Sequence, residues 1–472
     1  MEGPANKSRA FFLLNNLKKM NSVYSRKNIY SQISKLAFPI ALQNLLSACV
    51  NSVDVVMLNF VGQDAVAAVS LAAQYSFILW CIYFGLGTGL TILGAQYYGK
   101  KDYKAIESVE GIALRFTVIV GSLFFVGSFF FPEILMSWFT NDGKLIGLGV
   151  EYMRIVSFSY LFNTIVEVYF STLKSVSRVK ASTIVNVTAN ILNIVLNACF
   201  IFGWIGLPKL GIVGVALATT IAGLMRMISV FVLSAMSPDV KISFRLIFIR
   251  NKVLFQDFFR LSLPALLNDL VWGLAFSVYT GIMGHLNSDA VAAFSFVAIV
   301  RNFGQVLCFG VANGGGLFLG KVLGENNLED GWVVSKCLVK LTVISGAVGG
   351  LIIFAASPFV LGFADLTPEA HDFLKKMLFI NCFYVMGSAI NTTFICGIFR
   401  SGGDSKFGLI CDTINMWGYA VPLGLLSAFV FKLPVMGVYL LMCTDEFVKW
   451  PVVFWHYKSK VWLKNITREN VA

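Results

Sequence analysis

Asp64-Ala-Val-Ala-Ala-Val-Ser70 returns as Asp289-Ala-Val-Ala-Ala-Phe-Ser295, an offset of 225 residues in a chain of 472. Pro39, Gly85, Gly89 and Gly99 recur at the same offset as Pro264, Gly310, Gly314 and Gly324. Further on, Lys174, Lys180, Pro208 and Gly211 match Arg400, Lys406, Pro434 and Gly437 at 226. Agreement in prolines, glycines and loop motifs over so long a stretch marks an internal duplication, and the fold must be built from two copies of one unit.

The solvent of each copy follows from composition. The chain is 57% hydrophobic and 13% charged, against roughly 45–50% and 25% for soluble domains. That excludes a large soluble enzyme, and it excludes a disordered or nucleic-acid-binding chain despite the net charge of +12. A helix needs about 20 apolar residues to cross a ~30 Å hydrocarbon core. Windows of that length predict spans near 36–60, 68–97, 109–131, 150–173, 181–204, 212–236, 261–285, 290–319, 333–357, 373–399, 407–430 and 434–456. The expected fold is therefore all-α and polytopic, with twelve transmembrane helices in two parallel six-helix repeats. An even number of spans per repeat sends both halves through the membrane in one direction. They are then related by an axis along the membrane normal, with a cavity between them near the midplane, as in duplicated transporters.

Of the 37 Lys and Arg, 28 fall on the side that carries both ends, 6 on the other and 3 within spans, which places both termini in the cytoplasm and the protein in the plasma membrane. The expected divisions are a basic leader (1–35), an N-terminal lobe (36–236), a linker (237–260), a C-terminal lobe (261–456) and a cytoplasmic tail (457–472). The first apolar tract starts too late for a cleaved signal peptide. The nine cysteines lie in apolar tracts without CxxC spacing and read as small hydrophobes rather than disulfides or metal ligands.

Ionisable groups inside hydrocarbon cost several kcal/mol unless paired or hydrated, so each is a candidate for function. Asp54 lies about 22 Å into the first span. Asn186, Asn190, Asn193 and Asn197 share a wedge of roughly 60° on the fifth helix. Asn193, Asn197 and, entering from the far side, Thr219 reach the depth of Asp54. A carboxylate among neutral oxygens suits a sodium ion, and a desolvated carboxylate can carry a proton; an asparagine stripe can also simply bond helices together. In the second half the offsets replace Asn44 by Asp269 and Asn186 by Asp412, a candidate second proton-linked pair with Arg301 or water as partner. Glu167 and Arg115 read as local ion pairs or snorkelling groups, and the Asp445, Glu446, Lys449 cluster as an i,i+4 pair without assigned role. Gln74, Asn190, Arg301, Trp272 and Phe276 are candidate cavity residues, with Tyr75, Trp80, Tyr83 and Trp417 as further aromatic candidates. Arg400-Ser-Gly-Gly-Asp-Ser-Lys406 lacks the context of a phosphate-binding loop, and no catalytic triad or metal-binding histidine pair is present.

Pro39 with Asn44, Val53-Asp54, the Ala-Val-Ala-Ala-Val-Ser motif, Gly94-Ala-Gln-Tyr-Tyr-Gly99, Asn193 to Asn197 followed by Gly211-Ile-Val-Gly-Val-Ala-Leu-Ala-Thr219, and Arg400-Ser-Gly-Gly-Asp404 resemble the multidrug and toxic compound extrusion (MATE) family from about Ser34 to Trp462. The resemblance implies two lobes around a V-shaped cavity and antiport of organic cations or toxic compounds against sodium ions or protons by alternating access. It implies that Asp54 is the coupling residue with Asn193, Asn197 and Thr219 around it, and that the chain is not an enzyme and needs no cofactor beyond that ion. A sodium ion at Asp54 is the one metal expected. The expected partners are a small-molecule substrate and membrane lipid, with no nucleic acid, and the protein is expected to be a monomer. A lipid-linked precursor flippase of the same superfamily is the alternative. The sequence departs from some family members at Asn197, at Ala389 and near Trp272, where they carry acids.

Overall fold

The computed structural model describes residues 24–469 except Leu207, 238–239, Ser243, 249–250 and Asp365. Most of the expected leader and the last three residues of the expected tail thus lie outside the described residues. Among the described residues all regular structure is helical. The N-terminal half contains α1 (Arg26–Asn59), α2 (Gln63–Lys100), α3 (Tyr103–Phe130), α4 (Gly143–Ser175), α5 (Val179–Phe202) and α6 (Gly211–Met236). In the C-terminal half, α7 (Lys252–Leu286), α8 (Ser288–Gly324) and α9 (Leu328–Phe363) are followed by α10 (Pro368–Phe399) and α11 (Ser405–Val430). These eleven are long and apolar enough to cross a membrane. The twelfth span, α12, is broken into Val435–Met442, Asp445–Val448 and Trp450–Ser459. Buried Asp445, Glu446 and Lys449 interrupt its apolar character, and Pro451 opens its last piece.

Helices α1 and α7 begin ten and nine residues before the starts expected from hydropathy. Polar flanks continue the helix past the hydrocarbon, where hydropathy no longer reports it. Caps set the true starts: Ser25 Oγ accepts from Asn28 N at 3.3 Å, and Asn251 Oδ1 accepts from Leu254 N at 3.0 Å. The duplication extends to the loops. Lys101 and Asn326 both turn through left-handed conformations (φ 63° and 60°), each followed by the residue, Asp102 or Asn327, that caps the next helix. Ser177 (φ 61°) and Gly403 (φ 78°) form a second such pair.

The repeated glycines lie where the halves meet. A Cβ on Gly89 of α2 would stand 1.8 Å from Ser262 Oγ of α7, and one on Gly314 of α8 would stand 2.5 Å from Ala37 N of α1. Ser262 and Ala37 are themselves repeat partners, so the two contacts are copies of one. Nearer the helix ends the relation tightens. A Cβ on Gly99 would be 2.0 Å from the Lys321 carbonyl oxygen, and one on Gly324 would be 1.9 Å from that of Gln96. Helices α2 and α8 therefore cross backbone to backbone at the end that carries both termini, a contact only glycine permits. Tyr24 of the N-terminal end reaches Glu325 there at 3.1 Å.

The segment after α12 is packed into this closed end rather than hanging from it as a tail. Gln96 accepts from Ile466 N at 2.8 Å and donates to the Ser401 carbonyl at 2.7 Å; Lys100 donates to the Arg468 carbonyl at 2.6 Å. The Arg468 guanidinium forks onto both oxygens of Asp257 at 2.6 and 2.7 Å. Trp462 is fully buried, stacked on Tyr457.

Gly324→Ala forces this end apart, because the clashing atom is a backbone oxygen and no rotamer relieves it. The Cβ of Ala95 lies 3.2 Å from an ideal Cβ on Gly320, near disulfide distance. In a background without the nine native cysteines, the pair Ala95→Cys and Gly320→Cys cross-links readily, and adding Gly324→Ala reduces cross-linking several-fold. Unchanged cross-linking would show that the seam absorbs the methyl group.

Candidate functional site

Helices α1, α5 and α6 bring four of the expected residues together. Asn197 Nδ2 donates to Asp54 Oδ1 at 2.8 Å and to Asn193 Oδ1 at 3.3 Å, and Asn193 Nδ2 donates to Thr219 Oγ1 at 3.4 Å. With its amide turned over, Asn193 donates to Asp54 Oδ1 at 3.2 Å and accepts from Thr219 N at 3.3 Å. Asn193 bridges Asp54's surroundings to α6 in either orientation. Asn197 is fully buried, Asn193 is buried, and Asp54 is half-buried. The Asn197 side-chain carbonyl oxygen has no hydrogen-bond partner among the described residues, an expensive omission for a buried acceptor. Carboxylate, orphaned carbonyl oxygen and hydroxyl form a donor set that a sodium ion or a proton would complete.

The C-terminal lobe differs from expectation. Asp269 and Asp412 do not turn to Arg301. Arg400 Nη2 holds Asp269 Oδ1 at 3.1 Å and Asn268 Oδ1 at 2.7 Å, while Asn268 Nδ2 donates to Asp412 Oδ2 at 2.8 Å. Lys449 bonds Asp412 Oδ1 and Glu446 Oε2, both at 3.1 Å. Asn391 donates to Glu446 Oε2 at 2.5 Å and to its carbonyl at 2.6 Å. Each carboxylate of the expected pair thus has its own cation, and among the described residues the two are joined through Asn268 and Arg400. Lys449 is buried in this network and is not a flanking topology charge; its partner is Glu446 at i−3, not Asp445 at i−4. Arg301 instead lies over the rings of Phe276 and Tyr384, 4.5 and 5.7 Å from their centroids.

Between the lobes lies a cavity of about 300 Å³, within the usual size of small-molecule sites. It is walled by α1, α2, α4, α8 and α10, and includes Asn44, Trp80, Phe84, Glu167, Lys174 and Arg400. Tyr83 belongs to this wall, as expected, whereas Gln74, Asn190, Arg301, Trp272 and Phe276 do not border it. Gln74 is exposed and Asn190 half-buried; Trp272, in ring contact with Phe276, borders a smaller pocket beside Asp269, Asp412 and Lys449. Glu167 makes no ion pair with Arg115, whose Nε donates to the Ile247 carbonyl at 2.6 Å. Among the described residues no cluster of His, Cys, Asp and Glu could hold a metal by those side chains alone.

The sequence singles out the Asp445, Glu446, Lys449 cluster as a charged triplet in an apolar span but leaves it without a role; Asn391 carries no such signal, and Arg400 and Lys174 read as residues beside cytoplasmic turns.

Two parallel six-helix lobes, joined at one end around a central cavity with buried charge in each lobe, define a polytopic membrane transporter. The family model MatE matches residues 39–199 and again 264–426, starting at the two repeat prolines. The chain belongs to the MatE family. It is 26% identical over 450 residues to "Probable multidrug resistance protein YoeA" of Bacillus subtilis, covering 94% of this chain and 96% of the relative. It is 22% identical over 455 residues to "Probable multidrug resistance protein NorM" of Thermotoga maritima, with 94% and 96% covered. In fold it matches a MOP superfamily transporter from Pyrococcus furiosus with a TM-score of 0.83 at 19% identity, over 93% of this chain and 96% of that one.

Proposed function

We propose that the protein is a secondary active exporter, carrying small organic molecules out of the cell in exchange for protons or sodium ions through Asp54. The observation that carries this reading is the Asp54 carboxylate held against the orphaned Asn197 oxygen, with Asn193 and Thr219 completing the cradle. Such a cradle changes its charge by one unit when an ion or proton enters. A lobe that swings around a central cavity can convert that change into a difference in substrate affinity between its two states. The multidrug resistance names of YoeA and NorM support organic compounds as cargo.

The basic residues gathered at the closed end favour cytoplasmic termini in the plasma membrane. With that orientation the glycine seam closes the cytoplasmic side, and the conformation is outward-open. The C-terminal lobe, whose carboxylates hold Arg400 and Lys449, supplies fixed structure and not the coupling site.

In proteoliposomes loaded with a fluorescent organic cation, an imposed proton gradient and an imposed sodium gradient are applied separately. One of them accelerates efflux well above the ungraded leak. If neither does, antiport is wrong.

A further inference from the structure

At the closed end, a groove that the chain fills itself in one half has a counterpart in the other half that the chain does not fill. The segment after α12 occupies the first. Arg468 pairs with Asp257, Ile466 N donates to Gln96, and the Ile466 side chain packs in the cluster of Leu261 and lies 2.9 Å from an ideal Cβ on Gly403. The repeat partners of Asp257, Gln96, Leu261 and Gly403 are Gln32, Lys321, Leu36 and Ser177. All four line a cavity of about 490 Å³ bounded by α1, α5 and α8. The linker that follows α6 takes a different course from the segment after α12. Lys241 N donates to Glu107 of α3 at 3.4 Å, and the Val240 carbonyl accepts from Tyr169 of α4 at 3.4 Å.

The cavity is strongly basic. Lys35 of α1, Arg178 and Lys180 at the start of α5, and Lys321 of α8 line it, and among the described residues no acidic side chain does. Lys321 lies 4.0 Å from Glu325 and 5.5 Å over the Tyr98 ring. Lys35 and Lys180 are exposed and have no ion pair among the described residues. One turn deeper on the same helix faces, Phe38 and Ile184 turn apolar surface outward, 68% and 65% exposed.

We infer that this cavity binds the phosphate of an anionic phospholipid from the adjoining leaflet, and that the bound lipid holds the closed end shut. Clustered Lys and Arg fix a phosphate by charge-assisted hydrogen bonds, and basic pockets between helices at a membrane face recognise lipid headgroups. The apolar faces at Phe38 and Ile184 receive the acyl chains, which a free phosphate lacks. A phosphate here is gripped by α1 and α5 of one half and α8 of the other. It is held best while the seam is closed, so binding biases the protein toward this state. The chain's own leader, with Lys7, Arg9, Lys18 and Lys19 against the single acid Glu2, repeats the charge of the cavity and does not complement it.

This inference rests on the proposed orientation only for the name of the leaflet, the cytoplasmic one. Its test is binding in detergent without a gradient, so the two can fail independently. Delipidated protein is titrated with dioctanoyl phosphatidylglycerol, dioctanoyl phosphatidylcholine and inorganic phosphate. The wild-type protein binds the anionic lipid at least ten-fold more tightly than the choline lipid, and inorganic phosphate at the same concentration does not displace it. The double variant Lys35→Gln, Lys180→Gln loses that preference, and Lys35→Arg, Lys180→Arg retains it. Both lysines are exposed, so the exchanges leave the fold intact. Their repeat partners Arg260 and Lys406 are also exposed and do not line the cavity. Arg260→Gln, Lys406→Gln therefore removes the same charge elsewhere and leaves the preference unchanged. In the Ala95→Cys, Gly320→Cys background, phosphatidylglycerol raises the cross-linking rate several-fold, and it does not when Lys35 and Lys180 are both replaced by Gln. Equal affinity for the two lipids, equal losses in the two Gln double variants, displacement by inorganic phosphate, or a cross-linking rate indifferent to phosphatidylglycerol overturns the inference.

Discussion

Asp54→Asn reduces gradient-driven efflux from proteoliposomes to the leak rate while the protein still folds and inserts. The side chain keeps its size and its carbonyl oxygen, so the 2.8 Å bond from Asn197 Nδ2 is retained. A neutral-for-charged exchange of one such bond costs about 1–2 kcal/mol at most, and Asp54 is only half-buried. What disappears is the negative charge, and with it the ability to release a proton or hold a sodium ion as the lobe changes conformation. An amide in that cradle looks the same from both sides of the membrane, so no gradient can bias the cycle. Binding of cargo in detergent is expected to persist, because Asp54 is not among the residues that line the central cavity. Efflux that still follows the gradient in Asp54→Asn would remove Asp54 from the coupling step. Asn197→Ala is the milder companion: it leaves the charge but takes away the donor, and a shift of the gradient dependence is expected in place of its loss.

The Asp54 cluster was legible because it depends on two quantities a sequence contains. Helical periodicity places Asn193 and Asn197 on one face, and 1.5 Å per residue places them, Asp54 and Thr219 at one depth. The spans and the duplication were legible for the same reason, since hydropathy and spacing are local. The meaning of the repeated glycines was not. Gly99 and Gly324 could be matched at a fixed offset, but that each sits against the other half's backbone is a property of how the lobes dock. The pairing of Asp412 with Lys449 likewise depends on how α11 and α12 are rotated about their axes. Lys449, read by position alone, resembles one more cation at a helix end. The packed segment from Trp462 to Arg468 escaped because it is short, polar and without periodicity. Its place comes from partners more than 200 residues away, such as Asp257 and Tyr97.

Lys449→Met is expected to be the most damaging single change in the C-terminal lobe, and its effect separates a structural network from a coupling site. The ammonium stands 3.1 Å from both Asp412 and Glu446, and all three are buried. Removing one member of a buried ionic cluster costs about 3–5 kcal/mol, because it leaves the others uncompensated in a low-dielectric interior. Here two carboxylates are left facing each other, so the variant's thermal unfolding in detergent moves to markedly lower temperature. The triple variant Lys449→Met, Asp412→Asn, Glu446→Gln regains most of the loss, since a neutral hydrogen-bonded set replaces the ionic one at similar volume. It should also retain gradient-driven efflux, because Asp54 is untouched. If instead Lys449→Met is as stable as the wild type and acquires binding of external sodium, the lysine is a displaceable occupant of an ion site. The C-terminal lobe then takes part in coupling.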